Sequence, residues 1–150
     1  MTPRPAAPEE APYVNAARLP RRLRWIMLAV IVFDISMTFL GQPPSYWTQP
    51  ATVDEGNRLF HLVMSQGWQF TLLVDAVYLA GSFILVSLLP WRAGLVLLLA
   101  LVFGHFFGGS TWLCFRFKLG AQAFILYGTL LSVLIVTVGL RPETKAAQQA

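Results

Sequence analysis

Four apolar runs dominate this sequence, and each is long enough to cross the hydrocarbon core of a membrane. They cover residues 25–41, 68–89, 94–113 and 121–140. A hydrocarbon core of about 30 Å needs roughly 17 to 25 helical residues to cross it. Only 12% of the residues are charged, against roughly 25% in soluble domains. We therefore predict an all-α integral membrane protein.

The connections between the runs are short. Residues 89–93 join the second and third runs, and residues 115–120 join the third and fourth. Short connections make neighbouring helices antiparallel, so we predict an up-down four-helix bundle within one membrane domain, residues 18–141. The proline-rich segment 1–17 and the tail 142–150 cannot bury a core and are predicted to be disordered.

The segment between the first two runs carries its own helix signals. Thr52 and Glu55 have the spacing of a capping box, in which each side chain satisfies a free amide at a helix start. Residues 54–66 place apolar and polar side chains on opposite faces, as in helices that lie in a membrane interface. We predict a short interfacial helix that starts at the box, with a break at Gly67; the alternative is one long helix that continues into the second run.

Basic residues flank the runs asymmetrically. Three of them, Arg58, Arg116 and Lys118, fall on the predicted outer side. The other eight fall on the opposite side: Arg4, Arg18, Arg21, Arg22, Arg24, Arg92, Arg141 and Lys145. The positive-inside rule then predicts cytoplasmic termini, here in a bacterial inner membrane.

The same charge distribution bears on partners. The basic residues form no single patch with interleaved aromatic residues, which argues against nucleic acid as a partner. The expected partner is the lipid bilayer, and a homo-oligomer or a larger membrane complex stays open. Cys114 is the only cysteine, which excludes an intramolecular disulfide and a cysteine metal cluster.

Three ionisable residues interrupt three different runs at a similar depth. With about 1.5 Å of rise per residue, Asp34, Asp75 and His105 all fall roughly 9 to 12 Å below the outer membrane edge. Ionisable groups inside a membrane are costly and usually face one another or a wet cavity. We predict that these three residues form an outer-leaflet polar site for a small cation or a proton.

Further polar residues lie near this predicted site. Thr38 is one turn from Asp34, and Thr71 and Tyr78 share a helix stripe with Asp75; these three would form a supporting polar shell. Three residues of the predicted interfacial helix could cover the site as a lid or contribute further ligands: Glu55, Asn57 and His61. The alternatives are a capping role for Glu55 and a solvated helix face for the other two.

Three functions remain open for the site. Carboxylate oxygens and an imidazole fit a proton, a small cation or a divalent metal such as zinc, with Asp34, Asp75 and His105 as its ligands. The second function is that of a structural or accessory subunit of a larger membrane complex, in which the polar groups fix helix register. The third is an intramembrane hydrolase that uses the metal to activate a water.

Several short motifs resemble those of an uncharacterised family of small bacterial four-span membrane proteins. They are Asp-x-x-x-Thr from Asp34, Gly-Gln-Pro from Gly41, Glu-Gly-Asn from Glu55, and Gly-His followed by Ser-Thr-Trp-Leu from Gly104. The resemblance covers about residues 25–115 and implies the same architecture and site residues. Arg58 stands where the family usually has proline, and the family has no established activity to carry over.

Overall fold

A computed structural model describes residues 21–139. Every regular element in this part of the chain is helical, as predicted. The predicted tails 1–17 and 142–150 lie outside it, as do four of the basic residues used to orient the chain: Arg4, Arg18, Arg141 and Lys145.

Four helices have the length and the composition to cross a membrane, which confirms the predicted number of spans. They are α1 (Arg21–Leu40), α3 (Trp68–Leu88), α4 (Trp91–Thr111) and α5 (Gly120–Leu134). Two of them continue as π-helical turns, α4 over Trp112–Arg116 and α5 over Ile135–Gly139. Helix α2 (Arg58–Met64) lies in the connection between α1 and α3.

The boundaries of α3 to α5 have local causes. Gly67 precedes α3 with φ of 114°, a conformation that favours glycine, which confirms the predicted break. Pro90 separates α3 from α4, since proline has no amide hydrogen to extend the first helix. Gly120 opens α5 with φ of 70°.

Helix α1 packs against both α3 and α4. Its N-terminal half supplies five of the ten buried side chains of the main apolar cluster in the described chain: Leu23, Ile26, Met27, Val30 and Ile31. Helix α5 contacts α4, and it also contacts α1 through Tyr127, whose ring centroid lies 4.7 Å from that of Phe33, and through the π-helical turn that follows it. Most of the surface of α5 stays uncovered: 6% of its most apolar stretch is buried, against 33% for α1.

The connection between α1 and α3 folds into a compact cap with its own small core. It contains two 3-10 turns, Pro44–Trp47 and Pro50–Thr52, followed by α2. Three buried side chains hold these pieces together: Tyr46, Val53 and Met64. The cap therefore has a defined shape beside the ends of the long helices.

The predicted capping box is wrong. Thr52 ends the second 3-10 turn, and its hydroxyl donates to the carbonyl of Gln49. Helix α2 instead begins after Asn57, whose side-chain oxygen accepts hydrogen bonds from the amides of Leu59 and Phe60. The two prolines at 44 and 50 favour tight turns before the helix, which delays its start beyond the residue that the box predicted.

Candidate functional site

His105 joins two helices through both nitrogens of its ring. Its Nδ1 lies 2.8 Å from Oδ2 of Asp34 on α1, and its Nε2 lies 2.8 Å from the hydroxyl of Tyr78 on α3. The imidazole can donate from one nitrogen and accept at the other when neutral, and it donates from both when charged. We call Asp34, His105 and Tyr78 the relay.

Gly108 makes room for the relay on α4. A Cβ atom at this position would lie 2.6 and 2.7 Å from the two carboxylate oxygens of Asp34. Gly109 is also tight, since a Cβ there would lie 3.2 Å from the ring of Phe33 and 3.5 Å from the backbone of Asp34. At Gly104, one turn earlier on α4, a Cβ atom would meet nothing within 4 Å. The Asp34 carboxylate therefore sits directly against the backbone of α4.

A cavity of about 560 Å³ adjoins the relay. The three predicted site residues Asp34, Asp75 and His105 all line it, together with Tyr78. We call it the inner cavity. Apolar and aromatic side chains also line it, among them Ile35, Phe60, Val74, Ala100, Leu101 and Trp112.

Asp75 is the most enclosed acid of the described chain. Its side chain is 4% exposed, and its Oδ2 has no hydrogen-bond partner among residues 21–139. The contrast with Asp34 is clear, because Asp34 is paired with His105 while Asp75 lines the same cavity without such a partner.

The cap supplies two of the three predicted lid residues. Glu55 and Asn57 line the inner cavity, whereas His61 does not. One oxygen of Glu55 accepts the amide hydrogen of Asn57 at 2.7 Å. Burial raises the pKa of Glu55, although that hydrogen bond acts in the opposite direction. Phe60 and Val63, which lie three residues apart on one face of α2, line the cavity, whereas His61 lies on another face of the helix.

Of the three residues predicted to form the supporting shell, Thr38 and Tyr78 line the cavity and Thr71 does not. Thr38 lines the cavity and is 5% exposed. Thr71 does not line it, and its hydroxyl donates instead to the carbonyl of Gly67 in its own helix at 3.0 Å. A threonine hydroxyl often donates to the carbonyl one turn earlier, so the place of Thr71 on the polar stripe did not predict this partner. Tyr78 belongs to the relay itself.

Two residues that hold the cap beside the site were missed as site residues. Gln42 is buried, and its side chain both donates to the carbonyl of Asp54 and accepts from the Asp54 amide, at 3.1 and 2.9 Å. Arg116 donates from Nε to the carbonyl of Gly41 at 2.6 Å, and its Nη1 lies 3.7 Å from Asp54. The Gly-Gln-Pro motif marked Gln42, but nothing in the sequence near Arg116 indicated this contact.

The structure does not support the predicted three-ligand metal centre. Among residues 21–139, no group of three or more His, Cys, Asp or Glu side chains is placed to hold a metal ion. Both ring nitrogens of His105 are already engaged, by Asp34 and by Tyr78. The zinc expectation at Asp34, Asp75 and His105, and with it the metal-dependent hydrolase, therefore has no support from the described residues.

A second cavity of about 600 Å³ lies against the first. The two share part of their linings, including Glu55, Asn57 and Trp112. The second cavity, which we call the outer cavity, is also lined by Asp54 and Arg116. The cap residues Glu55 and Asn57 therefore stand between the outer and the inner cavity.

Comparison with known proteins identifies no relative, so a function has to be inferred from the geometry of the site. No family model, no curated protein and no solved structure matches this chain.

Proposed function

We propose that this chain is a multi-pass membrane protein that binds a small cation in the inner cavity and exchanges a proton with it through the relay. The observation that carries the proposal is the imidazole of His105, with an acid on one ring nitrogen and a phenol on the other. Histidine is the side chain best suited to gain and lose a proton near neutral pH.

The chemistry of the relay follows from its two hydrogen bonds. A neutral ring with its proton on Nδ1 donates to Asp34 and accepts from Tyr78. Protonation of Nε2 produces an imidazolium that pairs with the carboxylate of Asp34, so the relay can hold one additional proton. A cation that enters the cavity repels that imidazolium and favours loss of the proton. Proton release is thus the expected response to cation binding.

We further propose that the four long helices cross the membrane up and down, with α2 in the outer interface and both termini in the cytoplasm of a bacterium. The described basic residues support this orientation. Arg21, Arg22 and Arg24 lie at the start of α1, and Arg92 lies in the first turn of α4. At the opposite ends of these helices, Arg58 lies in the cap, and Arg116 and Lys118 lie between the end of α4 and the start of α5.

The second candidate function is that of an accessory subunit or a homo-oligomer. One observation favours it: α5 is the least buried of the four long helices. Its exposed side chains are compatible with lipid, and also with another membrane helix. Under this proposal the protein, extracted in mild detergent, would migrate at the mass of an assembly rather than of one chain.

The test of the leading proposal measures protons directly. The full chain is placed in zwitterionic lipid nanodiscs in weakly buffered solution with a pH-indicator dye, and sodium, potassium or methylammonium chloride is added. We expect proton release from the wild type, loss of the release in Asp34→Asn, and full release in Asp54→Asn.

The control has the same change of charge outside the inner cavity. Asp54 is 65% exposed and pairs with Arg116 rather than with the relay. Absence of proton release with all three cations, or equal release from wild type and Asp34→Asn, would contradict the proposal.

A further inference from the structure

The inner cavity contains a buried acid that forms no ion pair with a basic side chain of the described residues. Asp75 is 4% exposed and its Oδ2 has no hydrogen-bond partner among residues 21–139. Of the described residues that line this cavity, His105 is the only one with a basic side chain, and its ring is engaged by Asp34 and Tyr78. An ionised carboxylate without a partner is strongly disfavoured in an enclosed site. A cationic ligand would remove that penalty.

The size of the cavity bears on the kind of cation. A volume of about 560 Å³ falls within the range of sites that bind organic molecules, roughly 300 to 1,000 Å³. A single inorganic ion would leave most of that space empty, and the described side chains form no metal cluster. The volume therefore favours a ligand with a carbon skeleton.

The lining of the cavity combines acids with apolar and aromatic side chains. Three carboxylates line it, those of Asp34, Asp75 and Glu55, and neither Lys nor Arg lies among the described residues that line it. Its aromatic side chains are Phe60, Tyr78 and Trp112. Aromatic rings and carboxylates together are the groups that recognise alkylated ammonium ions.

We propose that the inner cavity binds an organic cation, a hydrophobic amine or quaternary ammonium ion, with the carboxylate of Asp75 as its counter-ion and the apolar lining around its carbon skeleton. This inference rests on the proposed function and names the class of cation for that site. Asp34 remains committed to His105 and responds to the bound charge, while Asp75 holds it.

The test uses benzyltrimethylammonium, which has an apolar ring and a permanent charge. Because this ion carries no exchangeable proton, any proton released on binding comes from the protein. Titration calorimetry of the full chain in zwitterionic nanodiscs, in two buffers of different ionisation enthalpy, measures the affinity and the number of released protons in one experiment.

We expect saturable binding to the wild type and at least tenfold weaker binding to Asp75→Asn. Asp54→Asn should bind as the wild type does, since it changes the same charge outside the inner cavity. Benzenesulfonate, an anion of similar size, should not bind. A second variant, Ala100→Leu, keeps every charge and fills part of the cavity; it should weaken binding of benzyltrimethylammonium as well.

Three results would overturn the inference: no saturable binding to the wild type, equal affinity in Asp75→Asn, or equal binding of benzenesulfonate. The two proposals fail separately. Binding of benzyltrimethylammonium without proton release supports the inference and contradicts the relay, whereas proton release by sodium without binding of the organic ion overturns the inference alone.

Discussion

At the scale of single residues, the site depends on one glycine as much as on its ionisable groups. The carboxylate of Asp34 reaches His105 because Gly108 has no side chain to displace it. The sequence predicted the three ionisable residues, since charges in apolar runs are easy to recognise. It could not predict that the carboxylate would pack on Gly108, because that contact depends on how α1 crosses α4.

Gly108→Ala should therefore displace Asp34 and abolish cation-dependent proton release. It should also lower the stability of the protein by about 1 to 3 kcal/mol, the usual cost of overpacking. The measurement is the proton-release assay together with thermal unfolding in detergent micelles.

Gly81→Ala is the matched control, because it makes the same change on α3, away from the residues that line either cavity, where a Cβ atom meets nothing within 4 Å. It should leave both quantities unchanged. If the two variants behave alike, the proposed packing of Asp34 against α4 is incorrect.

At the scale of elements, hydropathy predicted the long helices, but no sequence pattern predicted where α2 starts. The Thr52 and Glu55 spacing fits a capping box, but the N-cap in the structure is Asn57, two residues after Glu55, and the helix starts at Arg58. Spacing alone cannot decide between two competing caps, because the turns that precede them fix the direction of the chain. Here those turns begin at Pro44 and Pro50.

Asn57→Ala should destabilise α2 by about 1 kcal/mol through loss of its N-cap. Amide hydrogen exchange at Leu59 and Phe60, the two amides that Asn57 accepts from, measures the effect. Thr52→Val is the comparison, and it should leave exchange at those amides unchanged. Faster exchange in Thr52→Val than in Asn57→Ala would restore the capping box.

The cap should also respond to pH through Glu55. Burial raises its pKa above 4.5, so the folded chain holds the proton more tightly than the unfolded chain does. The contribution of Glu55 to the stability of the cap is therefore complete below pH 4.5 and is lost as the pH rises through the raised pKa. Exchange protection of α2 should decrease over that interval.

Glu55→Gln removes this titration, so its α2 protection should vary less with pH than that of the wild type. Protection factors measured from about pH 4 to about pH 7 compare the two proteins. Wild-type protection that increases over this interval would contradict the sign of the effect.

At the scale of the whole molecule, the number of long helices was predictable and their packing was not. Apolar length alone identified four helices. The apolar runs do not show that α1 would contact both α3 and α4 while α5 stayed mostly uncovered, because lipid-facing and protein-facing side chains are equally apolar. The position of the cap could not be predicted either, because Arg116, which donates a hydrogen bond to the carbonyl of Gly41, lies far from it in the sequence.

The proposed orientation predicts opposite labelling of two positions. In a Cys114→Ser background, Thr48→Cys in the cap should react with a membrane-impermeant maleimide added outside intact cells. Arg92→Cys, in the first turn of α4, should react only after the membrane is opened. Labelling of both positions from outside, or the reverse pattern, would contradict the up-down arrangement with cytoplasmic termini.

The proposed function depends most on the link that His105 makes between an acid of α1 and a phenol of α3. Magic-angle-spinning NMR of the protein in lipid tests it directly, with ¹³C at the aspartate carboxyl carbons and ¹⁵N in the histidine rings. The chain has three aspartates and two histidines, so few signals overlap. We expect a measurable dipolar coupling between one aspartate carboxyl carbon and a ring nitrogen of His105, and its loss in Asp34→Asn; absence of that coupling in the wild type would contradict the link.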